Sequence, residues 1–325
     1  CFSFYCGNLV SLSIFKIYIM NVLSLFDGMS CGQIALNKLG ISYNNYYASE
    51  IDEDAIKTTN YNFPNTKQLG SVMDLKYVDW NESDINLLIG GSPCQNFSFV
   101  GTQKGMVTKD NIEITTLEQY LKLKENGFEF QGQSFLFWEY VRILREIQSI
   151  NPDVLFLLEN VRMAKKWQNL ITSVLGVEPV AINSNIVSAQ NRPRLYWTNI
   201  KNVEIPSNRN VSFQDFKEDL PLRPVGNWVY KKWGNNVKIN TLKTLNTDKL
   251  NCLTTSKTHS PMYYLSDDKT MYRNLSLQEA KKAQTIPDWY DLTCVSEGKA
   301  FHMLGNGWTV DVIVEFFKPL KQLCT

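Results

Sequence analysis

A cysteine, a glutamate and two arginines stand where they could act on one substrate. Cys94 lies in Gly90-Gly91-Ser92-Pro93-Cys94-Gln95-Asn96-Phe97-Ser98, directly after a buried apolar run. A cysteine on a turn stiffened by Gly and Pro past a strand end is exposed and held, whereas structural cysteines sit within the apolar run itself. Thiolate is the reactive form, so Cys94 needs a positive neighbourhood or activation on substrate binding. Glu159-Asn160-Val161 ends a second apolar run, and Gln190-Asn191-Arg192-Pro193-Arg194 leads into a third. Two guanidiniums bracketing a proline suit the orientation of a carboxylate or the binding of an anion. A thiol, an acid and two guanidiniums at one sheet edge describe nucleophilic addition to an electron-poor ring.

A second group precedes these. The first apolar run passes into Phe26-Asp27-Gly28-Met29-Ser30-Cys31-Gly32. A glycine turn at the carboxyl end of a first strand is where doubly wound sheets bind ligands, because small residues let the backbone approach. Glu50 closes the next strand, and an acid there can accept hydrogen bonds from both hydroxyls of a ribose. The pair points to an adenosine-containing cofactor without saying which. The spacing is not GxGxxG, which speaks against a nicotinamide-dependent enzyme.

The elements that must carry these residues follow from periodicity. Buried strands are expected over Val22–Phe26, Tyr46–Glu50, Ile85–Ile89, Val154–Leu158 and Arg194–Thr198. Helices are expected over Gln33–Leu39, stopping at Gly40, over Asp54–Tyr61, and over the amphipathic stretch Leu136–Ser149. Within the long polar segment Gly101–Gly132, Thr116–Asn126 suits a helix, and a long loop beside a reactive residue suits a lid. Ser276-Leu277-Gln278-Glu279 matches a capping box, and Val310–Leu323 reads as an apolar helix returning to the first domain. Strands alternating with helices imply an α/β fold around a mostly parallel sheet.

After Asn199 the texture becomes rich in Asn, Lys, Pro and Trp, which marks a second, smaller domain. Residues 201–257 carry ten Lys/Arg against five Asp/Glu, and Trp228, Tyr230, Lys231, Lys232 and Trp233 interleave rings with cations. That composition suits contact with phosphates and bases; it also suits a solvated polar insertion with its own small core. The expected division is 20–199 for the catalytic, cofactor-binding part, 200–270 for the second domain and 271–325 for a return segment. Residues 1–19 are apolar with Lys16 as their only charge. Ser, Asn, Gly and Lys interrupt the run, and neither a basic flank nor a cleavage site accompanies it, so we expect an upstream extension with Met20 as a natural start.

A net charge of +1 over 325 residues excludes a wholly electrostatic nucleic-acid binder, so any such surface is local. The seven cysteines are scattered and form no CxxC pair, which argues against a disulfide framework or a structural zinc site. A reducing compartment is expected, cytoplasmic or nuclear rather than secreted, with no metal and no membrane partner.

The chain resembles the cytosine-5 DNA methyltransferase family from Val22 to about Leu320. Five ordered blocks carry the likeness: Leu25–Gly32, Gly90–Ser98, Leu158–Val161, Gln190–Tyr196 and Leu304–Thr309. In motif it is similar to animal de novo enzymes and to standalone viral and bacterial ones, without the regulatory modules of the former. The resemblance implies a Rossmann-like sheet that uses S-adenosyl-L-methionine, a smaller target-recognition domain, and double-stranded DNA as partner. It implies that Cys94 attacks carbon 6 of a flipped-out cytosine, that Glu159 contacts ring N3 and the exocyclic amine, and that Arg192 and Arg194 orient Glu159 and hold the base. For the cofactor it implies Phe26 and Ile51 on the adenine, Asp27 and Gly28 in the turn at the methionine moiety, and Glu50 on the ribose. Ser71, Val72 and Pro93 complete that set, with Asn306 and Trp308 reaching back to the amino-acid end. The family often has an acid after a glycine at the third strand; here the place reads Gly70-Ser71-Val72-Met73-Asp74, leaving Ser71 or a shifted Asp74 as candidates. The rival readings are a tRNA cytosine methyltransferase sharing this core, a non-catalytic DNA-binding relative, and a nicotinamide-dependent enzyme. The intact Cys94, Glu159 and arginine pair argues against the second, and the missing GxGxxG against the third.

Overall fold

The computed structural model describes residues 20–76, 85–93, 97, 106–225, 242–255 and 263–323. The stretch 1–19, Cys94 and the segment from Trp228 to Trp233 lie outside the described residues. The main sheet is built from β1 (Met20–Leu25), β2 (Tyr43–Ser49), β3 (Lys67–Gln68), β4 (Leu87–Gly91), β5 (Leu155–Val161), β6 (Val180–Asn183) and β7 (Pro193–Thr198). Their order is β3-β2-β1-β4-β5-β7-β6. The first five strands are parallel neighbours, while β7 runs antiparallel to both β5 and β6. The fold is therefore α/β and Rossmann-like, its mostly parallel sheet carrying an antiparallel insertion that strand periodicity does not report.

Alternation along the strands fills two cores. Val22, Leu87, Ile89 and Leu157 face one, and Leu23, Leu88, Phe156 and Leu158 face the other. Both faces are apolar because helices cover both, as parallel sheets require. On one side α1 (Cys31–Leu39) packs against α8 (Val310–Phe317). On the other lie α4 (Phe137–Gln148) and α5 (Lys165–Leu175), whose Trp138, Ile143, Trp167 and Ile171 are buried there.

Boundaries differ from the sequence expectation at informative places. Helix α1 begins at Cys31, after Ser30 in the left-handed region (φ 61°), and ends at Gly40 (φ 66°). Strand β5 runs on through Glu159 and Asn160 to Val161, because it pairs with β7 there. Strand β4 likewise takes in Gly90 and Gly91. The C-terminal helix stops at Phe317 and tightens into a 3-10 turn over Lys318–Leu323, since Pro319 has no N–H to continue an α-helix. Helix α2 (Glu53–Asn62) is capped by Asp52, α3 (Leu117–Glu125) by Thr116, and α6 (Leu277–Ala283) by the full Ser276/Glu279 box. Helix α7 (Glu297–Asn306) has no counterpart in the sequence expectation.

A second, three-stranded antiparallel sheet joins β8 (Arg223–Pro224), β10 (Met271–Asn274) and β9 (Tyr263–Leu265) in that order. It takes in residues past 270, because β10 pairs with both of the others. No helix among the described residues is long and apolar enough to cross a membrane.

Candidate active site

One cavity of about 700 Å³ opens at the carboxyl ends of β1, β2, β4 and β5. Phe26, Asp27, Gly28, Glu50, Ile51, Ser71, Val72 and Pro93 line it, together with Glu159, Arg192, Arg194, Asn306 and Trp308. Every site residue expected from sequence is thus brought together, apart from Cys94, which follows Pro93 outside the described residues.

The turn after β1 is unusual backbone. Phe26, Gly28 and Ser30 all have positive φ (57°, 58° and 61°). For Phe and Ser that conformation costs of order 1 kcal/mol each and persists only where its surroundings enforce it. Glu50 holds the middle of the turn: its Oε2 accepts from the Gly28 N–H at 2.7 Å, and its Oε1 from those of Ile51 (2.7 Å) and Asp52 (2.9 Å). A carboxylate has about four acceptor sites, so Glu50 keeps capacity for a hydroxyl donor beside a turn whose close approach needs glycine. Asp27 is occupied differently. Its Oδ1 accepts from Tyr46 (2.9 Å) and its Oδ2 from Ser30 (2.7 Å), so it braces the turn. Burial pushes its carboxyl up to about 6 against those hydrogen bonds.

The opposite wall is Gly70–Met73. Ser49 donates to the Gly70 carbonyl (2.8 Å), and the Ser71 hydroxyl accepts from the Met73 N–H (3.1 Å). Ser71 lines the cavity, whereas Asp74 is exposed and is not part of the lining. A buried charge network pins this wall from behind. Glu139, fully buried, receives Tyr120, Lys124 and Arg142, while Arg142 donates to the carbonyls of Val72 and Leu75 and Lys124 to that of Met73. No local pattern in sequence announces this.

Near Glu159, Asn160 donates to the carbonyl (3.1 Å) and hydroxyl (3.0 Å) of Ser92, holding the chain just past β4. Glu159 is buried, and its Oε1 lies 2.9 Å from Arg194 Nε. Val161 pairs with Arg194 across β5 and β7, which makes Glu159 and Arg194 diagonal neighbours. Arg192 acts elsewhere. Only 3% exposed, it donates to the carbonyls of Leu253 (3.3 Å), Gly305 (2.9 Å) and Gly307 (2.8 Å) and to Cys252 Sγ (3.3 Å). The expectation that both arginines orient Glu159 is corrected: it precedes β7 rather than standing in it, and reaches the loops behind. Trp308 takes the second place on Glu159, its Nε1 donating to Oε2 at 3.1 Å.

Sequence reasoning missed Cys31, His302, Met303 and Thr255 in the cavity wall. His302 and Asn306 share a face of α7 and hydrogen bond at 3.2 Å, so helical spacing back from the Leu304–Thr309 block is the signal that could have found His302. It also missed Cys252, which lies 3.9 Å from Arg194 Nη2 as well as against Arg192. Burial pushes that thiol up, but the two guanidiniums outweigh burial and bring it below the usual range.

A family model described as C-5 cytosine-specific DNA methylase matches residues 20–268. Among curated relatives, the orphan methyltransferase M.SPRI of Bacillus phage SPR is 26% identical over 289 residues, covering 82% of this chain and 57% of that protein. The type II methyltransferase M.Bsp6I of Bacillus sp. (strain RFL6) is 26% identical over 203 residues, or 59% of this chain and 55% of that protein. The chain spans roughly 37–57% of the length of the first three curated relatives it matches. Among solved structures, S. pombe Dnmt2 methyltransferase aligns with a TM-score of 0.68 at 18% identity, over 94% of this chain and 99% of that one. Entamoeba histolytica methyltransferase EhMeth aligns with a TM-score of 0.69 at 16% identity, over 95% and 99%. At those identities the structural likeness speaks for the fold.

Proposed function

The chain belongs to the C-5 cytosine-specific DNA methylase family, and from that premise we propose that it methylates carbon 5 of a cytosine in double-stranded DNA, using S-adenosyl-L-methionine. The observation that carries the proposal is a single cavity with two chemistries. A glycine turn and a ribose-type carboxylate line it, and so do a carboxylate held by an arginine and Pro93, the residue before Cys94 in sequence.

The described residues fit the cofactor. The cavity is large enough for a nucleoside joined to an amino acid, Glu50 retains acceptor capacity for a ribose hydroxyl, and Phe26 offers a ring for the adenine. Asn306 and the turn to Trp308 stand by for the amino-acid end. When bound, S-adenosyl-L-methionine supplies a sulfonium methyl, the electrophile for an electron pair released at carbon 5.

This chain's residues prepare that pair. Carbon 6 is unreachable within a stacked duplex, so the target base must be extruded into the cavity. The Cys94 thiolate adds to carbon 6; a sulfur–carbon bond forms, the carbon 5–carbon 6 double bond opens, and the electrons move toward carbon 5 and the N3 side of the ring. Glu159 faces N3 and the exocyclic amine; a proton passed from its carboxyl group to N3 neutralises that charge and returns when the adduct collapses, while Arg194 fixes the group in place. After methylation a base removes the carbon 5 proton, the double bond re-forms and the sulfur–carbon bond breaks, returning the thiolate. Residues 20–199 and 271–325, apart from β10, are assigned to this chemistry, and 200–270 together with β10 to reading the target.

The test is incubation with radiolabelled cofactor and parallel duplex DNA and tRNA, beside Cys94→Ala. Label recovered as 5-methylcytosine in DNA and lost in the variant supports the proposal. Label in tRNA alone transfers the mechanism to an RNA substrate. A folded protein that binds cofactor and labels neither refutes the catalytic reading.

A further inference from the structure

Trp308 belongs to both ends of the cavity. Its ring lines the space shared with Phe26, Gly28 and Glu50, and its Nε1 donates to Glu159 Oε2 at 3.1 Å, across 149 residues of sequence. The room for this contact is made by Gly91 at the end of β4. A Cβ there would stand 2.9 Å from Trp308 Nε1 and 3.1 Å from Glu159 Oε2. The turn that delivers the indole is itself clamped, since Arg192 and Gln284 both donate to the Gly307 carbonyl (2.8 and 3.1 Å).

Arg194 alone does not set the direction of the Glu159 carboxylate. The terminal torsion of a glutamate is broad, so one donor at Oε1 leaves the plane of the group free to turn. A second donor on Oε2 fixes it. The indole N–H donates only, so Oε2 is held as an acceptor, while Oε1 stands in the ion pair with the Arg194 guanidinium. We infer that Trp308 is a positioning residue for Glu159: its N–H sets the plane in which the carboxylate meets the target ring, and thereby ties the cofactor turn to the base-binding carboxylate. The inference rests on the proposed role of Glu159 toward the ring.

Two variants break the contact by different routes. Trp308→Phe keeps a ring in the cavity wall and deletes the donor; Gly91→Ala keeps both side chains and wedges them apart. For each, kcat on duplex DNA should fall by about tenfold, the scale of one hydrogen bond to a charged group. For Trp308→Phe, the Kd of S-adenosylhomocysteine by calorimetry should stay within about twofold, because the ring is kept. Independently of activity, a cycle of Trp308→Phe with Glu159→Ala is measured by urea unfolding of the cofactor-free protein. The shift in midpoint caused by Trp308→Phe should vanish when Glu159 is already alanine. Additive shifts, or an unchanged kcat with a weakened cofactor Kd, would overturn the inference and leave Trp308 as cavity wall only. If the wild-type protein methylates no DNA, the functional proposal fails, while the unfolding cycle still decides whether Trp308 holds Glu159.

Discussion

Replacing Arg192 by alanine takes a buried guanidinium away from three carbonyls at once, those of Leu253, Gly305 and Gly307. The Gly307 carbonyl keeps Gln284 Nε2 at 3.1 Å, so its loss is partial. A buried acceptor stripped of its partner costs roughly 1–3 kcal/mol. The Leu253 carbonyl keeps the weak Cys252 Sγ–H donor at 3.5 Å, so the stripped Gly305 carbonyl, the weakened Leu253 carbonyl and the lost packing of the arginine stem set the expected destabilisation at about 3 kcal/mol. That is a large part of the roughly 5–15 kcal/mol that holds a typical domain. Urea unfolding should show a lower midpoint at unchanged slope, because the surface exposed on unfolding is the same. Arg192→Met retains the stem and separates packing from hydrogen bonding; it should recover no more than about 1 kcal/mol. Arg192→Lys offers one compact ammonium in place of a planar fork and should recover less than half of the loss. Cofactor affinity should fall alongside stability, since the same guanidinium holds the turn that carries Trp308. A loss below about 1 kcal/mol in Arg192→Ala would refute the reasoning, because the loops would then be held without the arginine.

Asp27→Asn should stabilise the cofactor-free protein at neutral pH. The folded-state carboxyl is raised from 3.8 to about 6, so the native state binds the proton more tightly than the unfolded chain. Stability therefore falls as pH rises from about 4 to about 6 and is level above that, and the variant escapes the loss. The full value is about 3 kcal/mol, and partial access from the cavity trims it to roughly 2; equal midpoints at pH 4 and a gain at pH 7.5 are expected in urea titrations. Gly305→Ala should lower the melting temperature sharply, because its Cβ would stand 2.3 Å from the Thr254 carbonyl carbon and oxygen and 2.6 Å from the Thr255 nitrogen, all of them backbone. Gly298→Ala in the same helix meets nothing within 4 Å and should stabilise by about 0.5 kcal/mol or more, which makes it the matched control. Cys252→Ser should lower kcat more at pH 8 than at pH 6, because the native thiol, held down by Arg192 and Arg194, gains its charge as pH rises and the hydroxyl does not; parallel pH profiles would refute a charged sulfur between the arginines.

Much of the site was legible because its parts are local. The run Val22–Leu25 ending in Phe26-Asp27-Gly28, the acid closing the second strand and the Ser276/Glu279 box are short-range signals, where neighbours in sequence settle backbone conformation and burial. Together with the order of the later blocks they sufficed for an α/β sheet and for the family. Tertiary structure decided which side chain touches which. Arg192 and Arg194 share a motif yet part company, because β7 enters antiparallel and sets only Arg194 diagonal to Glu159. Trp308 reaches Glu159, and Gly91 is small to admit it, through a contact spanning 149 residues that leaves no period in the sequence. Cys252 meets the arginines, and Glu139 gathers Tyr120, Lys124 and Arg142 behind the cavity wall, for the same reason. Strand and helix periods record which face of an element is buried; they do not record which distant element covers it, and that assignment is made only when the chain packs.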